Sequence, residues 1–187
     1  KQPVVLERGL EVEKRQDKVD AFWKGKGLDP ECNVQFGEGG AGTFSDGKLT
    51  TGIKDPRIRF VLQSFVECGA PEEILYLAKP HIGTDKLVHV VREMRKTIQR
   101  YGGEILFQAH MEKLVQKNGK LTAVQYQKDG KTTEIFTSHC ILAVGHSARD
   151  VFEMLYNANI PMMQKNFAVG MRIEHSQDWL NYAMYGR

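Results

Sequence analysis

The chain has 187 residues, with 26 Lys and Arg against 23 Asp and Glu, and its +3 charge is interleaved rather than clustered, which predicts neither a nucleic-acid nor a membrane partner. An apolar fraction of 41% and a charged fraction of 26% are those of a globular protein and exclude disordered and fibrous classes, and no apolar run approaches the roughly 18 residues of a membrane span. The three cysteines are far apart and odd in number, which favours reduced thiols and a cytoplasmic protein.

The first predicted element is a short strand. Residues 4–6 form the apolar, β-branched run Val-Val-Leu, which is typical of a strand buried on both faces of a parallel sheet and which ends at Glu7. A buried parallel strand needs neighbours, so we expect that the first strand of the sheet lies upstream and is missing; an edge strand at a natural terminus is the alternative. The charged stretch 11–26 indicates a loop and an irregular helix.

A Gly-rich segment, which we define as residues 33–51, comes next. Gly37, Gly39 and Gly42 match the G-x-G-x-x-G pattern of dinucleotide loops, but that pattern requires a strand before the loop and a helix after it. Residues 43–47 have turn chemistry instead, so we reject the segment as the primary dinucleotide loop. It remains either a loop whose amides approach part of a cofactor or a purely structural loop.

Helices and strands then alternate. The apolar spacing of residues 84–100 predicts a helix with Thr84 as its cap, and weaker patterns predict helices at 57–68, 71–77 and 148–157. Asn-Gly at 118–119 and Asp-Gly at 129–130 favour type I′ turns, which predict a β-meander with strands at about 111–117, 120–128 and 131–137. Further strands are predicted at 104–108, at 140–144, where we expect burial, and at 167–173.

This order of elements predicts an α/β protein with a parallel, nucleotide-binding type of sheet and a three-stranded antiparallel meander. Ligands of such sheets bind beyond the carboxyl ends of the strands, here at Glu7, Gln108 and Gly145. An acid at the end of a buried strand is costly unless a partner satisfies it, and in dinucleotide-binding folds a carboxylate at this place accepts hydrogen bonds from ribose hydroxyls. An ordinary solvent-facing strand end is the alternative for Glu7.

Other constellations are weaker. Ser45 and Asp46 provide a nucleophile and an acid, but no strand–serine–helix elbow surrounds them, so an acyl or phosphoryl transferase is only an alternative. His139, Cys140 and His146 lack a second pair of ligands, and we expect no metal site.

Four runs of residues carry a family resemblance. They are PVVLERG at 3–9, NVQFGEGGAGTFSDGKLT at 33–50, AKPHIGTD at 78–85 and AVGHSARD at 143–150, and they resemble an uncharacterised bacterial family of FAD-dependent dehydrogenases, sometimes labelled NAD-utilising dehydrogenases. That family is similar to flavoproteins with the glutathione-reductase type of FAD fold. The resemblance implies that residues 1–160 are a partial FAD-binding domain and that residues 161–187 begin a truncated substrate domain.

The resemblance also implies roles for residues. Glu7 would hold the adenosine ribose with Arg8 beside the adenine, the Gly-rich segment would pass the pyrophosphate and the flavin ring, and residues 143–145 would lie beneath the flavin. No catalytic residue is assigned. The implied FAD contacts are Glu7, Arg8, Gly39, Gly40, Gly42, Thr43, Ser45, Asp46, Gly47, Lys48, Met111, Ala143, Val144 and Gly145.

The implied activity is flavin-mediated hydride transfer on an unknown small-molecule substrate, with NADH or NADPH as a candidate reductant. Because the family's upstream Gly-x-Gly-x-x-Gly loop is missing, we expect this chain to bind FAD weakly or not at all and to be inactive. We also expect the exposed sheet edge to favour self-association. A non-enzymatic nucleotide-binding module is the alternative function. The flavoprotein interpretation requires Glu7 to lie beside the Gly-rich segment rather than in bulk solvent.

Overall fold

The computed structural model describes residues 2–45 and 47–186 and shows a mixed α/β protein. Its elements in chain order are β1 (Val4–Glu7), α1 (Val12–Trp23), α2 (Arg57–Glu67), a 3₁₀ turn (Glu72–Leu75), α3 (Thr84–Arg100), β2 (Glu104–Phe107), β3 (His110–Lys117), β4 (Lys120–Lys128), β5 (Lys131–Phe136), α4 (Arg149–Asn157) and α5 (Gln177–Tyr185).

The parallel sheet has two strands in the described part of the chain. β1 and β2 pair in parallel with Glu7 opposite Phe107, and α3 precedes β2, which confirms the predicted helix-to-strand step. The prediction that β1 is buried on both faces is wrong, because among the described residues β2 is the one strand that pairs with it, and Val4 and Val5 are 42% and 39% exposed. Self-association through this edge stays a prediction.

The meander is confirmed. β3, β4 and β5 pair antiparallel in sequence order, and both predicted turns have the positive φ angles of type I′ geometry, with values of 52° at Asn118 and Asp129. Irregular pairing between Met111 and Lys113 marks the start of β3. The predicted helices over 57–68, 84–100 and 148–157 are confirmed within one residue, except that Gly83, not Thr84, caps α3.

The prediction of a loop and irregular helix over 11–26 is wrong, because α1 is a regular helix of 12 residues. Its buried positions are Val12, Arg15 and Val19, which follow the i, i+3, i+7 spacing of one helix face. Apolar spacing alone does not predict this helix, because an arginine occupies the middle of its buried face.

The strands predicted at 140–144 and 167–173 do not form. Backbone groups make a strand only where a neighbouring strand accepts their hydrogen bonds, and no described residue pairs with either segment. The predicted burial of the first segment is also wrong, because Ile141 is 93% exposed. In the second, Phe167 and Met171 are 84% and 95% exposed. The boundary between domains at 160 and 161 stays a prediction.

Two apolar cores among the described residues pack the helices against the remaining elements. The first packs α3 against the segment around the 3₁₀ turn and is formed by Cys68, Ala70, Ile74, Ile82, Leu87 and Val90. The second packs α4 against β3 and the Gly-rich segment, and its members include Ala148, Val151 and Leu155 with Phe36, Met111 and Val144. No helix in the described residues is both long and apolar enough to cross a bilayer.

Ile74, which is 1% exposed in the first core, gives a test of this packing. We expect Ile74→Ala to lower the free energy of unfolding by about 2–4 kcal/mol, because the truncation leaves a cavity that the neighbouring helices fill only in part. Urea denaturation measures the loss. Leu77→Ala, at a side chain that is 45% exposed, is the matched control and should cost less than about 1 kcal/mol. Equal losses in the two variants would contradict the assigned core.

Candidate functional site

Glu7 ends β1 and directs its carboxylate at two backbone amides. Oε1 accepts a hydrogen bond of 2.8 Å from the amide of Gly9 and one of 3.2 Å from the amide of Gly37 in the Gly-rich segment. The side chain is half-buried, and Oε2 has no hydrogen-bond partner among the residues that the structure describes. Glu7 therefore lies beside the Gly-rich segment, as the flavoprotein interpretation requires. Its role as a ribose ligand stays a prediction.

Glycine is required where these two backbones meet. A Cβ on Gly9 would lie 2.5 Å from the Cα of Gly37, and a Cβ on Gly37 would lie 2.4 Å from the Cδ of Arg15. Gly37 also has a φ of 116°, which side-chain-bearing residues rarely adopt. The close approach brings the Gly37 amide within reach of the Glu7 carboxylate.

Arg15 holds the Gly-rich segment from the buried face of α1. Its side chain is 0% exposed, its Nε donates to the carbonyl of Asn33 at 2.9 Å, and its Nη1 lies within 2.8–3.3 Å of the carbonyls of Gly37, Glu38 and Gly40. The guanidinium carbon also lies 4.8 Å from the centre of the Phe44 ring. Burial lowers the pKa of Arg15 below the ordinary value of a guanidinium, and the charges of Glu7 and Glu38 partly oppose that shift.

Glu38 fixes the same segment to the start of α1. Its Oε2 accepts a 2.7 Å hydrogen bond from the amide of Val12, the first residue of the helix, and lies 3.2 Å from Nη1 of Arg95 on α3. A carboxylate at this end of a helix is stabilised by the unpaired amides and the helix dipole. Burial nevertheless raises the pKa of Glu38, although the Val12 amide and Arg95 act in the opposite direction.

Arg8 joins three more parts of the chain next to Glu7. Its guanidinium pairs with Glu31 at 3.0 Å and Asp150 at 2.5 Å, lies 4.6 Å from the centre of the Phe36 ring, and has Nη2 2.6 Å from Nε2 of His110. His110 Nε2 lies 2.8 Å from Asp150 in turn. The donors of Arg8 are therefore engaged by the protein, and the prediction that Arg8 lies beside an adenine stays untested. The described residues contain no group of three His, Cys, Asp or Glu side chains placed to hold a metal ion.

An open cleft of about 510 Å³ lies at the carboxyl ends of β1 and β2. Its lining includes Arg8, Gly9, Gln108 and His110, together with residues 127–129 at the turn between β4 and β5. Glu7 does not line it, but Gly9, which donates to the Glu7 carboxylate, does. The cleft has the size of small-ligand sites and the position expected for a parallel sheet.

The middle of the Gly-rich segment uses its amides internally. The amides of Gly40, Thr43 and Ser45 donate to the carbonyls of Gly37, Gly40 and Gly42 in successive turns. The Ser45 hydroxyl donates to Gly42 and accepts from the Gly47 amide, and no described histidine or carboxylate binds it, so the geometry gives the transferase alternative no support. At this segment, Nη2 of Arg15 and the hydroxyl of Thr43 are buried without a hydrogen-bond partner among the described residues.

The remaining sequence-predicted positions lie in different parts of the structure. Met111 and Val144 pack in the second core beside Phe36, so the structure brings them close to the Gly-rich segment, whereas Ala143 and Gly145 lie on exposed coil. Gly47 accepts from the Ile82 amide, and Lys48 bridges to His81, so both lie against the start of α3 rather than against Glu7. Asp46 lies outside the described residues, and open space surrounds the position of a Cβ on Gly40 or Gly42, whereas one on Gly39 would meet Thr43.

Sequence reasoning missed Arg15, Glu38 and the partners of Arg8. One signal was present for Arg15, because it is a charged residue spaced three after Val12 and four before Val19, the two strongest apolar anchors of α1. No local signal connects Glu31, His110 and Asp150, which are brought together from distant parts of the chain.

Comparisons with known proteins add little to the geometry. No family model matches the chain. A relative from Clostridium beijerinckii, described as an uncharacterized protein, is 50% identical over 184 residues, which are 98% of this chain and 34% of the relative, so the chain spans about a third of that relative's length. A 3-ketosteroid-Δ4-(5α)-dehydrogenase from Rhodococcus jostii is 13% identical with a TM-score of 0.43, over 73% of this chain and 44% of that structure. At that similarity the structure assigns neither fold nor activity to this chain.

The Arg8–Asp150 pair generates a pH prediction. Burial would raise the pKa of Asp150, but the hydrogen bond and charge of Arg8 outweigh it and lower that pKa below its ordinary value. A depressed carboxyl pKa adds stability that is present above the unfolded-state pKa of about 4 and is lost as the pH falls through the folded-state value. Because Asp150 is 44% exposed, solvent screening limits the contribution to about 1 kcal/mol or less.

We therefore expect Asp150→Asn to be less stable than the wild type at pH 7, and the difference between the two to shrink on acidification below about pH 4. Urea denaturation as a function of pH measures both. Asp17→Asn, on an exposed position of α1, is the control and should follow the wild type. A constant difference between Asp150→Asn and wild type at every pH would contradict the ion pair.

Proposed function

We propose that this chain forms the adenosine-binding part of an FAD-dependent oxidoreductase. The observation that carries the proposal is the Glu7 carboxylate, which ends a parallel strand, is fixed through Oε1 by the amides of Gly9 and Gly37, and leaves Oε2 to accept a hydrogen bond. A ribose offers two adjacent hydroxyl donors, and a carboxylate at the end of a parallel strand is the acceptor that dinucleotide-binding proteins use for them.

The surroundings of Glu7 support this assignment. The open cleft is lined by Gly9, Gln108 and His110, and although Glu7 does not line it, the Gly9 amide that donates to Glu7 does, which offers a base space next to the proposed sugar contact. Two amide donors to one carboxylate oxygen also fix the orientation of the carboxylate before any ligand arrives, which reduces the entropy lost on binding.

The fit is better for the adenosine than for the rest of FAD. Three amides of the Gly-rich segment donate to its own carbonyls and are not available to a diphosphate. The unpartnered Arg15 Nη2 and Thr43 hydroxyl are donors that an anion would satisfy, but both are closed off from solvent, so the segment would have to move. A bound flavin would supply two-electron redox chemistry. The residues of this chain would bind and orient the adenosine end.

We expect the chain to bind ADP weakly, with a dissociation constant of about 1 mM, and to bind 2′,3′-dideoxy-ADP about 10-fold more weakly still. The dideoxy sugar lacks the hydroxyls that would donate to Glu7. We expect Glu7→Gln to bind both nucleotides equally, because a neutral amide is a weaker acceptor than a carboxylate. Titration followed by amide chemical shifts in NMR spectra measures these affinities.

Glu104→Gln is the matched control, because Glu104 lies at the opposite, exposed end of the same strand pair. It should keep the wild-type preference for ADP. Equal binding of ADP and the dideoxy analogue by the wild type would rule out the ribose contact, and the proposed function would lose the observation that carries it.

Redox activity separates an enzyme from a nucleotide-binding module without chemistry. We expect a protein of the relative's full length to bleach the visible absorption of bound FAD when NADH or NADPH is added anaerobically. A protein that binds adenosine nucleotides but whose flavin is not reduced would favour the module.

A further inference from the structure

We propose that Arg15 is the positioning residue of this site: it fixes the Gly37 amide, and through that amide it sets the orientation of the Glu7 carboxylate that receives the ribose. The role in ribose binding rests on the function proposed above, whereas the coupling of Arg15 to Gly37 and Glu7 is a property of the chain alone.

Burying Arg15 is costly. A guanidinium remains charged in proteins and is expensive to remove from water unless acceptors replace its hydration. No carboxylate pairs with Arg15 among the described residues; its acceptors are the carbonyls of Asn33, Gly37, Glu38 and Gly40. All four lie between residues 33 and 40 of the Gly-rich segment, so one side chain joins both ends of this stretch of backbone, to which the Glu38 amide adds a separate hydrogen bond with the Leu10 carbonyl.

Gly37 connects this backbone to the Glu7 carboxylate. Gly37 accepts from Arg15 through its carbonyl at 3.3 Å, and its own amide donates to Glu7 at 3.2 Å. The Arg15 side chain also occupies the space beside the Gly37 Cα, since a Cβ there would lie 2.4 Å from the Arg15 Cδ. The Arg15 side chain thus fills the space beside the Gly37 Cα and donates to the Gly37 carbonyl, and in this arrangement the Gly37 amide points at Glu7.

The Gly9 amide is an internal reference for the effect of Arg15 on Gly37. The Gly9 amide donates to the same oxygen of Glu7 at 2.8 Å, but it lies only two residues after Glu7 in the chain, and no hydrogen bond joins Gly9 to Arg15 among the described residues. Loss of Arg15 should therefore release the Gly37 amide from Glu7 and leave the Gly9 amide bound. A general loss of structure would affect both amides together.

Lysine cannot replace Arg15 in these hydrogen bonds. A guanidinium has five N–H donors in a rigid plane, whereas an ammonium is a single point with three donors. Arg15 uses two separate nitrogens for carbonyls that belong to four residues. We therefore expect Arg15→Lys, which keeps the charge, to behave more like Arg15→Met than like the wild type.

The experiment measures in the full chain how the amide proton shifts of Gly9 and Gly37 respond to Glu7→Gln, first in the wild-type background and then in each Arg15 background. In the wild-type background both amides should shift when Glu7 is replaced, because both donate to its carboxylate. In Arg15→Lys and Arg15→Met the Gly9 response should persist and the Gly37 response should disappear. A wild-type Gly37 amide that ignores Glu7 would overturn the proposal.

Ile74→Ala, in the first core and outside the hydrogen bonds that join Arg15, Gly37 and Glu7, is the control for lost stability alone. It should keep both amide responses. If the Arg15 variants also keep both responses, or if neither Arg15 variant folds under conditions in which Ile74→Ala does, Arg15 is a structural residue and the proposal is wrong.

The nucleotide titration completes the test. We expect the preference for ADP over 2′,3′-dideoxy-ADP, about 10-fold in the wild type, to fall to about 1 in the folded Arg15 variants and to be unchanged in Ile74→Ala. Absence of any ADP binding by the wild type would defeat the proposed function and the ribose role of Arg15, while the amide responses would still decide its coupling to Glu7. A retained 10-fold preference in both Arg15 variants would overturn the positioning role.

Discussion

A single buried guanidinium holds together the part of the Gly-rich segment that lies beside Glu7. Arg15 is withdrawn from water on α1, and its Nε and Nη1 donate to backbone carbonyls of that segment rather than to a carboxylate, while Nη2 has no partner among the described residues. This choice of partner has a consequence, because a carboxylate would neutralise the charge locally, whereas carbonyls from four residues satisfy it only if the backbone follows one path. The segment is consequently folded around the arginine, and the amide that reaches Glu7 is a result of that path.

Charged side chains elsewhere in the site add further connections between elements. Glu38 ties the Gly-rich segment to the first turn of α1 and, through Arg95, to α3. Arg8 performs the equivalent connection on the other side, where Asp150 attaches the start of α4 to the end of β1. The carboxyl ends of the parallel strands are thus surrounded by groups whose partners lie within the protein, and the spare oxygen of Glu7 is an acceptor that these pairs do not use.

The sequence allowed much of the fold to be predicted but little of the site. α3 and the meander were predicted because their signals are local, namely one apolar helix face and two Asn-Gly or Asp-Gly turns. Glu7 was predicted because a strand end and an acid are adjacent in the sequence. The partners of Arg8 could not be, since Glu31 and Asp150 are separated from it by 23 and 142 positions and no local pattern joins them.

By itself the sequence determined α2, α3, α4 and the two turns of the meander, because apolar spacing and positive φ angles act between residues a few positions apart, but it predicted neither the regular helix α1 nor α5. Only the tertiary structure decided which segments become strands and which charges become buried. Residues 140–144 have the composition of a strand, yet without a partner for their backbone groups they remain coil. Arg15 resembles a solvated helix residue in the sequence, and it is buried because distant carbonyls replace the water that it loses.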